Sequence, residues 1–379
     1  MRTFMIRMST LLIGLTLMTT GAAPTSASGL KFTQISAGDA YVCGVTQQGA
    51  VYCVGENGDG QLGDGSDDDR TSFTRVLSSQ RFSKVFGGTY HTCAITVRGE
   101  AYCWGANGNG QLGDGTTTNR LSPVKVLGSK GVTDLALGSS NFTCAIATRG
   151  AYCWGYGSIG VLGNGGTASS SYPVAVTGGA KFTDVSAQED FPCALSARGT
   201  AQCWGDDGIQ AGQGIYDEAV QYTVPVEVLD GRRFVSISAG SDGACGLTSR
   251  GLVYCWGWDE NALGGADVTF DGGTVTPGNP QLVLGGVKFS SLAETGGENH
   301  FCGITKGGAA YCWGDNWVGQ LGTGDTDSSN SAGPRQVVGG LKFSSISIHD
   351  LVSCGLTSRG QVWCWGAGPA DSSVPVLID

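Results

Sequence analysis

The fourteen cysteines of this 379-residue chain constrain it more than any other feature, because they come in pairs at a regular period. Cys43 goes with Cys53, Cys93 with Cys103, Cys144 with Cys153 and Cys193 with Cys203. Further on, Cys245 goes with Cys255, Cys302 with Cys312 and Cys354 with Cys364. Members of a pair are nine or ten residues apart, and successive pairs begin 49 to 57 residues apart. A period near fifty belongs to propellers and solenoids, where each copy buries its apolar face on its neighbours. Seven copies override the two or three domains that length alone would imply.

Within each copy four short apolar runs recur, as at 182–187, 193–196, 201–205 and 225–229. Each has strand length, turn residues separate them, and no segment keeps a 3.6-residue apolar period. Four strands per copy is the make-up of a propeller blade. The sequence therefore predicts an all-β, seven-bladed propeller. A β-helix is the alternative, but its coils are usually shorter and seldom carry a hairpin in every copy. If Cys43 faces Cys53 across two antiparallel strands, the loop is Gln47-Gln48-Gly49, with glycine where a three-residue hairpin needs a left-handed residue. The glycine recurs as Gly99, Gly199, Gly251, Gly308 and Gly360, and the third copy is one residue shorter. Cysteines opposed at a non-hydrogen-bonded pair can be bridged. Seven disulfides are expected, one within each pair and each worth roughly 2.5–3 kcal/mol in the chain-entropy model. Zinc would want four ligands, often from C-x2-C knuckles. Pairs of C-x8-C or C-x9-C and three histidines do not supply them. No metal and no cofactor is expected.

The N-terminus reads as an export signal: Arg2 and Arg7, an apolar run at 11–18, then small residues at 21–27. Cleavage is expected after Ala27, leaving 28–379 as a single propeller outside the cytoplasm. The apolar run is shorter than the roughly 20 residues a membrane span needs. Removing the leader takes two basic residues and no acidic one, so the net charge of -10 becomes -12. An acidic chain without a basic tail suits neither phosphate backbones nor anionic lipid. The expected partner is an extracellular or periplasmic protein, with a basic surface fitting best. The chain itself is expected to be monomeric.

Residues 102–115, Tyr-Cys-Trp-Gly-Ala-Asn-Gly-Asn-Gly-Gln-Leu-Gly-Asp-Gly, resemble the repeat signature of the regulator of chromosome condensation family. His91-Thr92-Cys93-Ala94-Ile95 resembles the strand that precedes it. The likeness runs from about residue 30 to the end. The Gly-Gln-Leu-Gly core is clear in copies one, two and six, altered in three to five, and absent from seven. The resemblance implies the propeller fold. Family members include a nucleotide exchange factor for a small GTPase, a plant ultraviolet-B photoreceptor and, more distantly, a secreted β-lactamase inhibitor. Nucleotide exchange would need a partner that an exported chain would not ordinarily meet. The photoreceptor reading would want clustered surface tryptophans. Here Trp104, Trp154, Trp204, Trp256, Trp313 and Trp365 repeat at one strand position, with Val54 in the first copy, and read as blade-to-blade packing. An inhibitor fits the compartment.

No catalytic constellation stands out. The stretch 60–65 is glycine-rich but lacks the Lys-Ser/Thr of a phosphate loop. Asp64, Asp67, Asp68 and Asp69 do not follow the order of a calcium-binding EF-hand and read as a solvated acidic loop. His91 and His300 share a repeat position, which points to a structural hydrogen bond, while His349 lies three residues out of register. An enzyme reading, a hydrolase or lyase, needs titratable groups converging in the central channel, such as two carboxylates within hydrogen-bond reach. The preferred reading is a binding module. The residues before each first cysteine vary most between copies and should share one face: Asp39, Tyr41, Tyr90, Asn141, Phe142, Glu189, Asp190, Phe191, Asp242, Glu298 and Asp350. Carboxylates with aromatic anchors between them suit a basic partner. The Gly-Gln-Leu-Gly loops are expected on the opposite face. Finally, a Pro/Val-rich run precedes copies two to seven but not copy one, and a similar run at 374–378 ends the chain. That tail is expected to pair into the first blade and close the ring.

Overall fold

The computed structural model describes residues 29–139, 141–178, 181–205, 212–213, 221–229, 231–257, 279–295, 297, 300–327 and 333–379. The proposed leader and Glu298 lie outside the described residues. Twenty-eight strands, with no helix among the described residues, form seven four-stranded antiparallel sheets. These are the blades, at 32–75, 82–125, 132–175, 182–227, 236–282, 289–336 and 343–378. In blade one the strands are Phe32–Ala37, Tyr41–Thr46, Val51–Gly55 and Arg70–Arg75. The first strand of each blade packs on those of its neighbours and lines the centre.

The hairpins form as their residues dictate. In blade one Thr46 N–H donates to Ala50 C=O and Gly49 N–H to Thr46 C=O, and Gly49 has φ +80°. Counting back from Thr46 and Ala50, Cys43 and Cys53 form a non-hydrogen-bonded pair, where antiparallel strands come closest. The expected pairing holds in every blade. Cys43 is bridged to Cys53, Cys93 to Cys103, Cys144 to Cys153 and Cys193 to Cys203. Cys245 is bridged to Cys255, Cys302 to Cys312 and Cys354 to Cys364. Each pair is directly opposed, with Cα atoms 4.0–4.1 Å apart, and no free cysteine is left.

Two expectations are corrected. The C-terminal strand, Ser372–Ile378, does not enter the first blade. It pairs with Val362–Gly366 and completes blade seven. Each sheet takes its strands in chain order, so the Pro/Val-rich run is the outer strand of the blade it follows. Copy one has no such run before it because that run would belong to a preceding blade. The ring closes by packing, with Phe32, Ile35 and Val54 of blade one clustered with Val352, Leu356 and Val362 of blade seven.

The second correction concerns the faces. The Gly-Gln-Leu-Gly loops join the third strand to the fourth and leave from the same end of the blade as the loop between the first two strands. Glu56, Ala106, Tyr156 and Ala367 N–H groups donate to the carbonyls of Ala40, Tyr90, Asn141 and Leu351. Both loop sets therefore share one face, here called the loop face. The hairpin turns and the links between blades occupy the other.

Candidate functional site

The loop face is built by one device that ties blade to blade at four seams, one–two, two–three, three–four and six–seven. Gln61 C=O of blade one accepts hydrogen bonds from Trp104 Nε1 (2.8 Å) and Thr92 Oγ1 (2.7 Å) of blade two. Thr92 also meets Tyr41 Oη at 2.8 Å. The Gln61 side chain accepts from Asp59 N–H, and Leu62 is buried. Gly63 lies under the indole: a Cβ there would stand 2.5 Å from Trp104 Nε1, and its φ of +67° is left-handed. The Gln, the Leu and the second Gly of Gly-Gln-Leu-Gly thus each have a task. The same contacts recur with Gln111, Trp154, Thr143 and His91, and with Gln320, Trp365, Ser353 and His300. In blade three Val161 replaces glutamine, yet its carbonyl still accepts from Trp204. The tryptophan row is packing, as its repetition implied. His91 and His300 make the structural hydrogen bonds expected of them, and burial pushes both imidazoles down to about 3.

This device decides which rim residues reach solvent. Tyr41, Phe142 and Phe191 share the repeat position of His91 and His300 and are buried between blades. They are not available as surface anchors, because alternation turns that position inward. Tyr90 is one residue out of that register and is 45% exposed. Glu189 is exposed, and Asp39, Asn141, Asp190, Asp242 and Asp350 are half-buried. Asn141, Glu189 and Asp350 have positive φ (66°, 37° and 47°), backbone that side chains seldom adopt. The nearby cations Arg70, Arg120 and Arg335 are ion-paired with Asp64, Asp114 and Asp325. Asp64 and Asp69 are folding groups of their own loop, accepting from Ser66 and Asn57 respectively.

The central channel holds a cluster in a cavity of about 120 Å³ lined by residues of six blades. Lys84 Nζ lies 3.1 Å from Asp134. Asp134 and Asp184 line the same cavity and their carboxyls interact, and Glu294 interacts electrostatically with Asp134 and Lys84. Burial first, then the neighbouring carboxylates, pushes Asp184 up to about 7. Glu294 is also pushed up to about 7, by burial and Asp134 against the pull of Lys84. Its side chain is nevertheless open to channel space, so water there softens the burial effect. His349 is fully buried at the end of its strand, and neither ring nitrogen has a partner among the described residues. Burial pulls it down to about 4 against the opposing charge of Asp39.

Comparison with known proteins gives this geometry a family. A model of the regulator of chromosome condensation (RCC1) repeat matches residues 48–95, 98–146, 150–195 and 307–356, and a second model of that repeat matches 32–61, 82–111 and 234–262. The chain belongs to the RCC1-repeat family. Among curated relatives it is 30% identical over 164 residues to the ultraviolet-B receptor UVR8 of Arabidopsis thaliana, covering 43% of this chain and 36% of that receptor. The fold matches human WBSCR16 with a TM-score of 0.74 at 21% identity, over 85% of this chain and 86% of that one. It matches Prp20p of Saccharomyces cerevisiae, a protein with binding properties to Gsp1p and histones, with a TM-score of 0.72 at 21% identity over 88% and 87%.

Two features of this RCC1-repeat propeller escape a reading of the sequence. Trp317 is 66% exposed on the loop face of blade six. It stands where other copies have Gly58, Gly108 and Ser158, and that mismatch could have flagged it. Lys84, Asp134 and Asp184 of the channel cluster occupy one repeat position, with Gln34 in blade one, and their convergence shows only once the ring is built.

Proposed function

We propose that this RCC1-repeat propeller is an exported, non-enzymatic binding module that holds a basic protein partner, as an inhibitor or adhesive scaffold would, on its loop face. The observation that carries the reading is the exposure of Trp317 and Tyr90 on a face whose described arginines are already ion-paired. An uncommitted aromatic amid carboxylates is what a hot spot with an electrostatic surround requires. Export is supported by the order of the leader and by seven disulfides, which persist in oxidising compartments. Partner captured from the extracellular fraction should be lost with Trp317→Ala and Tyr90→Ala together. Asp39→Asn, Glu189→Gln, Asp190→Asn and Asp242→Asn combined should slow association in a salt-sensitive way, by about tenfold. Capture undiminished by both variants, each with an unaltered melt, would move the site off this face.

A second reading, a hydrolase acting in the channel, has one observation in its favour: Asp134 and Asp184 line one cavity, with Asp184 pushed up to about 7 beside the other carboxylate, which suits acid–base work. Their cavity admits a few waters rather than a polymer. Any hydrolysis abolished by Asp184→Asn, with partner capture intact, would establish it.

A further inference from the structure

The net negative charge conceals a segregation by face. Six of the seven hairpin turns carry a cation at the tip: Arg98, Arg149, Arg198, Arg250, Lys306 and Arg359, with Gln48 in blade one. A second set sits at the start of six of the seven blades, as Lys31, Arg81, Lys181, Arg233, Lys288 and Lys342, with Gly131 in blade three. All twelve are exposed, and the topology puts every one at the end of its blade opposite the loop face. The sets are neighbours across blade boundaries. The backbone of the second set's blade is bonded to the hairpin glycine of the blade before it, as in Phe234 N–H to Gly199 C=O, Phe289 to Gly251, Phe343 to Gly308 and Phe32 to Gly360. An added Cβ on Gly251 or Gly308 would stand 3.4 Å from the Cβ of Lys288 or Lys342.

Among the described residues none of these twelve forms an ion pair. Carboxylates among the described residues at this end are few: Glu100, bonded to Lys125, Glu227 on an outer strand, and Asp379 beside Lys31 and Arg359. Like charges set side by side repel and cost stability, and nothing in the hairpin's geometry demands them. Simple duplication of one Arg-Gly turn does not account for the pattern. The second set mixes lysine and arginine, and Lys306 keeps the cation although Gly307 separates it from the turn glycine. Charge is retained where residue and spacing change.

We propose that this hairpin face docks on an anionic bilayer surface, through phosphate headgroups. The cations run round the full circumference at one end of the ring, so a flat two-dimensional polyanion meets them all at once. A duplex or a single glycan chain would cross only a chord. Attraction acts within a Debye length, about 10 Å at 0.1 M salt, so the hairpin tips dominate when that face leads. The acidic loop face is turned away, toward solvent and any partner. A chain of net charge -10 thereby binds an anionic surface in one orientation.

The test is flotation of the oxidised full chain with phosphatidylcholine vesicles, with and without phosphatidylglycerol. Binding is expected to the anionic vesicles alone and to vanish at about 0.5 M salt, where screening shortens the reach of each charge. Arg98, Arg149, Arg198, Arg250 and Arg359 changed together to Gln should weaken partitioning by about two to three orders of magnitude. The same five changed to Lys should retain it. Both sets lie at solvated tips, and matching melts confirm that they fold. Three outcomes would overturn the proposal: equal binding to neutral vesicles, binding indifferent to the five Gln substitutions, or capture by heparin or duplex DNA without capture by anionic vesicles. Trp317→Ala should not alter vesicle binding, which separates this surface from the partner face.

Discussion

The seam between blades one and two and the seam between seven and one are built differently. At the first, a loop carbonyl receives an indole N–H and a threonine hydroxyl, and a glycine makes room for the ring. At the second, Val54 stands in place of tryptophan, and blade seven carries a short turn through Gly368 in place of the Gly-Gln-Leu-Gly loop. What holds this seam is apolar packing, with Ala37 N–H donating to Ser347 Oγ and Phe32 N–H to Gly360 C=O. The difference teaches that the motif and the tryptophan are two halves of one contact, donated by consecutive blades. Where the chain ends and the loop is missing, the tryptophan that would have met it is missing too.

The contrast can be broken at its centre. Trp104→Ala should destabilise the ring by about 3–5 kcal/mol, whereas Val54→Ala at the closing seam should cost about 2 kcal/mol. Urea unfolding of both variants checks this, and equal losses would mean the lock adds nothing to the seam. A finer probe adds one methyl group. Gly113→Ala forces a left-handed alanine within 2.7 Å of Trp154 Nε1 and should cost about 2–4 kcal/mol. Gly368→Ala has a comparable φ of +80° but meets nothing nearer than Val352 at 3.0 Å and Ala40 at 3.2 Å, and should cost about 1–2 kcal/mol.

The smallest effect is read with pH. His91 and His300 bridge seams two–three and six–seven as neutral imidazoles. Unfolded histidine takes up a proton near 6.5, the folded ones only near 3. Stability from both is therefore complete above pH 6.5 and drains away between 6.5 and 3. Asp184 works in the opposite sense. Its carboxyl is raised to about 7 when folded, so its contribution is full below about pH 4 and is lost as pH rises through 7. His91→Gln with His300→Gln should flatten the acid limb of stability, and Asp184→Asn should flatten the alkaline one. An acid limb unchanged by the double variant would dissociate these histidines from the seams.

Much of this architecture is legible in the sequence because repetition amplifies weak signals. Seven hairpins, seven bridges, the blade count and the packing role of the tryptophans all follow from spacing and alternation. What escapes depends on which ends of strands meet. Sequence alone does not show that a loop after the third strand returns to the end reached by the first, so it sets the two loop sets on opposite faces. It sends the tail to blade one because the outer run is counted with the copy it precedes rather than the one it follows. Tyr41, Phe142 and Phe191 look like surface anchors when the loop is taken one residue too long. Lys84, Asp134 and Asp184 sit in ordinary half-polar strands, and only the closure of seven blades brings them face to face.

The placement of the bridges has a consequence for how such a chain matures. Every cystine joins partners nine or ten residues apart within one hairpin. A blade can thus acquire its covalent bond as soon as its own turn has emerged, before any neighbour exists to confuse the choice of thiol. If the chain is exported as proposed, oxidation follows the order in which the hairpins emerge. Each copy holds only two cysteines, so a wrong bridge requires a second copy's thiol, and early local pairing asks little of an isomerase.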